Sequence, residues 1–136
     1  MIKKMILALV VAVSCLVLRS AEPNYTDAEK KFVCNFWEVQ TTLIRELGRK
    51  NVSGQDKLQL FKKILQVGDV AILSSNCPKD FKQHWQYYSA NTIPALNLTI
   101  LIMSGGKVMT QQDREFLQKV ENASSQLQKI YNKCKY

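Results

Sequence analysis

Three segments of this sequence begin with the same local signal for the start of a helix. Residues 26–29, 53–56 and 110–113 each place a serine or threonine three positions before an acidic residue. In this arrangement, the capping box, the hydroxyl and the carboxylate bond each other's free backbone amides. Apolar residues then recur every three or four positions, which is typical of one face of an α-helix. These signals predict three helices and constrain the fold more than any other feature.

A further helix is predicted between the second and third capping boxes. Pro78 suits a helix start, because its fixed backbone angle and missing N–H are tolerated there. The stripe that follows has helical spacing and consists of Phe81, Trp85 and Tyr88. Pro94 interrupts the pattern, since proline removes a backbone donor and clashes with the preceding turn. We therefore predict a helix broken at Pro94, with a continuous but kinked helix as the alternative.

The most apolar run after the N-terminal segment is residues 93–103. This run is too short to span a bilayer, so we expect it to be the core against which the amphipathic helices pack. A helix is favoured because the neighbouring segments are helical and Gly105 suits a helix C-terminus. A β-hairpin over residues 96–109 is the alternative, because apolar residues there alternate with Asn97 and Thr99.

The fold class follows from these segments and their spacing. Short connections between helical segments favour antiparallel neighbours. The predicted fold is all-α, an antiparallel up-down-up-down bundle of four to five helices with the third helix broken at Pro94. Residues 22–136 form a single domain, which is long enough for one hydrophobic core.

The N-terminus has the three-part layout of a secretory signal peptide. Lys3 and Lys4 precede an apolar block at 5–18, and the small residue Ala21 follows. We predict cleavage after Ala21, so that residues 1–21 are removed and no transmembrane segment remains. An earlier cut is the alternative, because Arg19 is unfavourable three positions before the cleaved bond. An uncleaved membrane anchor is a second alternative, although the apolar block is short for one.

Four Asn-x-Ser/Thr sequons support export by a eukaryotic secretory route. Roughly one sequon is expected by chance in a chain of this composition, so four is an excess. The sequence therefore predicts an extracellular glycoprotein, because glycans are added on that route. The predicted glycosylation sites are Asn24, Asn51, Asn97 and Asn122.

Charge and residue types exclude several classes of function. After residue 21 the chain has 16 basic and 11 acidic residues, a net charge of +5. The basic residues are dispersed and lack a nucleic-acid fold signature, so no nucleic-acid partner is expected. His84 is the single histidine, and no nucleophile or metal motif accompanies it. We therefore predict a protein that is not an enzyme and that uses no catalytic residue, metal or cofactor.

Three cysteines follow the signal peptide, namely Cys34, Cys77 and Cys134. Export makes a disulfide the expected state, while the odd number leaves one thiol unpaired. In an up-down bundle, Cys77 and Cys134 lie at the same height, so this pair is predicted. A disulfide between Cys34 and either partner is the alternative.

Two functions from different classes fit these features. The first is protein–protein binding by exposed helix faces, as a cytokine-like ligand, secreted effector or inhibitor with an unknown receptor or partner. The second is an extracellular carrier that holds a small hydrophobic or lipid ligand in the bundle core. The side chains predicted to line such a site are Phe36, Phe61, Trp85, Tyr88, Ile100 and Phe116.

Overall fold

A computed structural model describes residues 24–136, which form four α-helices. The helices are α1 (Asp27–Arg49), α2 (Gly54–Ala71), α3 (Lys79–Met103) and α4 (Gln111–Lys135). No β-strand occurs within residues 24–136. The all-α prediction is therefore confirmed, with four helices. The predicted signal peptide, residues 1–21, lies outside the described residues.

Side-chain caps define the starts of three helices. Thr26 and Thr110 accept hydrogen bonds from the backbone amides of Glu29 and Asp113, both at 3.1 Å. The two carboxylates accept in return from the threonine amides, both at 3.0 Å. At α2, Ser53 accepts from the backbone amide three residues on, at 3.2 Å. The capping signals of the sequence therefore place these three starts correctly.

Helix α3 runs without interruption through Pro94, so the predicted break is absent. Proline has no N–H to donate to the carbonyl of Ala90, four residues earlier. Pro94 and Ala90 are both exposed, so this part of the helix faces solvent, where water is available to the freed carbonyl. The missing bond is therefore inexpensive on this face, and the helix continues.

The end of α3 is fixed by a pair of reverse hydrogen bonds. The Gly106 N–H donates to the Leu101 carbonyl at 3.0 Å, and the Gly105 N–H donates to the Ile102 carbonyl at 3.1 Å. Gly105 has a φ of 79°, which glycine adopts without the strain that a Cβ would cause. This pattern is the Schellman motif of helix C-termini. It decides between the two alternatives for residues 96–109 in favour of a helix.

The four helices together enclose one core. Helix α1 packs against α2 and α4, and α3 packs against the same two helices. The core takes side chains from the first half of α1, the second half and end of α2, the start of α3 and the end of α4. Its buried members are Val33, Phe36, Leu65, Ile72, Phe81, Trp85, Leu127, Ile130 and Cys134.

The run at residues 93–103 is not the core, which corrects the prediction. Ala95 is its one buried residue, at 7% exposure, whereas Ile100 and Met103 are 61% and 82% exposed. The core lies beside the first half of α3 instead. Helix α2 has 18 residues against 25 in α3, which makes it about 10 Å shorter. The last turns of α3 therefore lack a neighbour on that side.

Trp85 of α3 packs against α2 at Gly68. A Cβ added to Gly68 would lie 2.1 Å from the nearest ring carbon of Trp85. The Trp85 indole N–H also donates to the Asp69 carboxylate at 2.9 Å. The absence of a side chain at Gly68 therefore lets the two helices approach around this ring.

The three cysteines of the described residues are unpaired. The predicted disulfide between Cys77 and Cys134 is thus absent from the structure. Cys134 is buried in the core, whereas Cys77 lies in the loop after α2 and packs on the core from outside, as Cys34 does from α1. Burial raises the pKa of the Cys77 and Cys134 thiols to about 11. The thiols share one region of the molecule without meeting.

Candidate functional site

Aromatic side chains of α1 and α3 meet in the middle of the bundle. The Phe36 ring packs edge-on against Phe81 and Trp85, with ring centroids 5.0 and 4.7 Å apart. Tyr88 continues the row, with its ring centroid 5.7 Å from that of Trp85. The spacing of three and four residues keeps the α3 members on one face of the helix.

A cavity of about 170 Å³ lies beside these rings, between α1, α3 and α4. Ile44 and Ser124 are exposed and mark its opening, whereas the aromatic side is buried. The volume is close to the roughly 150 Å³ of an engineered cavity that binds benzene. The space therefore admits one small aromatic molecule. Its lining is Phe36, Trp37, Gln40, Thr41, Ile44, Phe81, Trp85, Tyr88, Ser124 and Leu127.

Half of the side chains predicted to line an apolar site reach this cavity. Those three are Phe36, Trp85 and Tyr88. Phe61 packs against the core elsewhere, and Phe116 is half-buried near the start of α4. Ile100 is on the exposed part of α3, 15 residues beyond Trp85, or about 22 Å along the helix. The cavity instead meets α4 at Ser124 and Leu127.

Gln40 is the buried polar residue in the lining of this cavity, and the sequence analysis missed it. It is 6% exposed, and its Nε2 donates to the Ile64 carbonyl of α2 at 3.0 Å. Its Oε1 is closed off from solvent and has no hydrogen-bond partner among the described residues. The sequence signal was its position midway between Phe36 and Ile44, where a helix that buries this stripe would place an apolar residue.

A second concave region is an apolar groove on the outer side of α1 and α2. It consists of two adjoining depressions of about 230 and 210 Å³ that share Val67. On α1 the lining extends from Phe32 to Lys50, a length of about 27 Å. We call this region the α1–α2 groove. Its lining is Phe32, Asn35, Phe36, Val39, Gln40, Leu43, Glu46, Leu47, Lys50, Leu60, Lys63, Ile64, Val67 and Ala71.

The charged side chains of the α1–α2 groove lie at one end. Lys50, Lys63 and Glu46 line the depression near the end of α1, with Leu43 and Leu47. The other depression is lined by apolar and uncharged polar side chains alone. The groove therefore combines an apolar floor with two lysines and one glutamate at a single end.

The second half of α3 and the loop after it expose another apolar surface, which we call the α3 face. Leu96, Ile100 and Met103 follow one another at intervals of four and three residues, so they lie on one side of the helix. The exposed large apolar residues of this face are Leu96, Ile100, Leu101, Met103, Val108 and Met109. An exposed apolar surface of this extent marks an interaction site or needs a cover.

The four sequon asparagines are all exposed, which is the structural requirement for carrying a glycan. Asn24 precedes α1, and Asn51 lies in the loop between α1 and α2. Asn122 is on the outer side of α4, where its Oδ1 accepts from Gln118 at 3.0 Å. Asn97 lies within the α3 face.

His84 lines a shallow surface depression with Tyr87, Lys119 and Asn122. Residues 24–136 contain no group of His, Cys, Asp or Glu side chains arranged to hold a metal ion. Within the same residues, no helix combines the length and apolar character that crossing a membrane requires.

No protein-family model, no curated protein sequence and no solved structure matches this chain.

Proposed function

We propose that this chain is a secreted helical glycoprotein that acts by binding another protein through the α1–α2 groove. The observation that carries the proposal is an apolar groove along the outside of α1 and α2, formed by two adjoining depressions. The proposal includes an up-down-up-down order of the helices. The start of α1 packs with the ends of α2 and α4, which supports that order.

The occupant proposed for the groove is an amphipathic helix of a partner protein. A groove between two helices accepts the apolar side of a third helix, with anchors three, four and seven residues apart. Its length of about 27 Å corresponds to roughly five helical turns. Lys50 and Lys63 at one end favour an acidic side chain at the matching end of the partner helix. None of the four sequon asparagines lines this groove.

Export is tested on protein secreted from eukaryotic cells. N-terminal sequencing of the secreted chain is expected to begin at Glu22, and glycopeptide mass spectrometry is expected to find glycans on sequon asparagines. A full-length chain retained in the membrane fraction would contradict the proposed export.

The groove is tested with the same substitution, valine to glutamate, at one position inside the groove and at one position outside it. Val67 lines both depressions, while Val70 is three residues further on the same helix, is exposed and lies outside the groove. A photo-crosslinking residue at position 67 is expected to capture a cell-surface or extracellular protein, and unlabelled wild-type chain is expected to compete. Val67→Glu is expected to compete at least 10-fold less well, because it places a carboxylate in the apolar floor.

Val70→Glu is the matched control and is expected to compete like the wild type. Equal competition by Val67→Glu and Val70→Glu would refute the groove as the contact surface. Circular dichroism of both variants establishes that each retains the helical fold.

The cavity beside Trp85 favours a second candidate function, transport of a small apolar ligand. Both tryptophans of the chain, Trp37 and Trp85, line it, so an occupant in contact with them changes the intrinsic fluorescence. Toluene is a probe of suitable size, and a saturable change in tryptophan emission is expected if the cavity accepts it. Ile44→Phe is the variant that blocks the opening. Tryptophan is not used at this position because it would add a fluorophore. An unchanged spectrum at saturating toluene would refute this candidate.

A further inference from the structure

The α3 face exposes several large apolar residues and has no charged side chain within its helical part. Residues 85–106 contain no Asp, Glu, Lys or Arg. The rest of the chain after residue 21 carries a net charge of +5, so like-charged copies repel each other over most of their surface. The α3 face is the region where that repulsion is weakest and apolar burial is most favourable.

Asn97 lies in the middle of this face. It precedes Ile100 and Leu101 by three and four residues, so the side chains of these two residues are its neighbours on the helix surface, and Leu96 directly precedes it in the chain. All four residues are exposed. A glycan that begins at the Asn97 side chain therefore starts among the apolar side chains that need a cover.

The sequon at Asn97 is complete on the same helix. Thr99 supplies the hydroxyl residue, and in the folded chain its Oγ1 donates to the Ala95 carbonyl at 2.8 Å. This bond is confined to α3, so removal of the hydroxyl leaves the contacts between helices in place. The sequon can therefore be removed at either of two positions.

We propose that an N-linked glycan on Asn97 covers the α3 face and keeps the secreted chain monomeric. The glycan replaces an apolar surface by a bulky, hydrated one and holds a second copy away from Ile100 and Met103. Asn122 has no such role, because it lies on the polar side of α4 next to Gln118. This inference rests on the proposed export and glycosylation, and it goes beyond them by assigning one glycan a task.

The experiment compares sedimentation of secreted wild-type chain with that of Asn97→Gln, Thr99→Ala and the control Asn122→Gln. Glycopeptide mass spectrometry first measures occupancy at Asn97. Wild type and Asn122→Gln are expected to sediment as monomers. Asn97→Gln and Thr99→Ala are expected to associate, with a dimer dissociation constant at least 10-fold lower than that of the wild type, and to bind more of a hydrophobic dye.

A double variant identifies the surface. Asn97→Gln with Ile100→Lys is expected to return to a monomer, because a charge at position 100 opposes contact between copies. Circular dichroism establishes that each variant is folded. The proposal is overturned if occupied Asn97 can be lost without any change in association, or if Ile100→Lys leaves the association intact. Absence of a glycan at Asn97 on a monomeric secreted chain overturns it as well, whereas lack of export would instead refute the proposed function.

Discussion

Gly68→Ala is the substitution for which this structure makes the strongest prediction about stability. The added methyl group would lie 2.1, 2.7 and 2.8 Å from three atoms of the Trp85 ring. Trp85 is 4% exposed, and it is held by the Phe36 ring and by the hydrogen bond to Asp69. The ring therefore cannot move aside without loss of contacts.

The expected change combines one stabilising effect and two destabilising effects. Alanine is preferred to glycine inside a helix by about 1 kcal/mol. Overpacking a well-filled core costs about 1–3 kcal/mol. Displacement of the Trp85 ring also loses its hydrogen bond to Asp69, which contributes about 1 kcal/mol. The net expectation is that the free energy of unfolding falls by about 1–3 kcal/mol, although helix propensity alone predicts a rise.

Urea denaturation followed by circular dichroism measures this change, and Gly48→Ala is the matched control. Gly48 is also helical, and a Cβ there meets no other atom within 4 Å, so this variant is expected to be unchanged or more stable by up to about 1 kcal/mol. In a Trp85→Phe background the clash is relieved, and Gly68→Ala is expected to cost less. Equal effects of the two alanine substitutions would refute the reasoning.

Stability also depends on one hydrogen bond, two buried thiols and one capping carboxylate. Asp69→Ala removes the acceptor of the buried indole N–H and is expected to lower the free energy of unfolding by about 1–2 kcal/mol in urea denaturation; no loss would mean that the bond contributes nothing net. The pKa of Cys77 and Cys134 is raised from 9.0 to about 11. The contribution of these thiols to the free energy of unfolding is therefore full below pH 9.0 and is lost as the pH rises toward 11, because the thiols of the unfolded chain ionise first. Alkylation followed by mass spectrometry is expected to reach half its maximal rate near pH 11 at both thiols, and a midpoint near 9 would contradict this. A lysine hydrogen bond lowers the pKa of Asp113 from 3.8, so its contribution is present above pH 3.8 and is lost as the pH falls through the lowered value; an acid titration of Asp113→Asn is expected to lack that component.

The sequence by itself determined the helices and most of their ends. Capping depends on atoms within four residues of one another, so the sequence alone identified the N-caps Thr26, Ser53 and Thr110 that the fold contains. The apolar spacing likewise identified the row of Phe81, Trp85 and Tyr88, because helical periodicity is a local property. The buried polar residue of the cavity, Gln40, was missed because a single polar residue in an apolar stripe does not reveal its partner.

Tertiary structure decided which apolar residues form the core. Hydrophobicity ranked residues 93–103 first, yet burial requires a neighbouring helix, and the shorter α2 cannot cover the whole length of α3. Tertiary structure also leaves Cys77 and Cys134 unpaired and brings Gly68 against Trp85 across two helices. Local structure depends on residues that are close in the sequence, whereas contact between helices depends on their lengths and positions. These lengths and positions leave the most apolar segment of this chain facing outward.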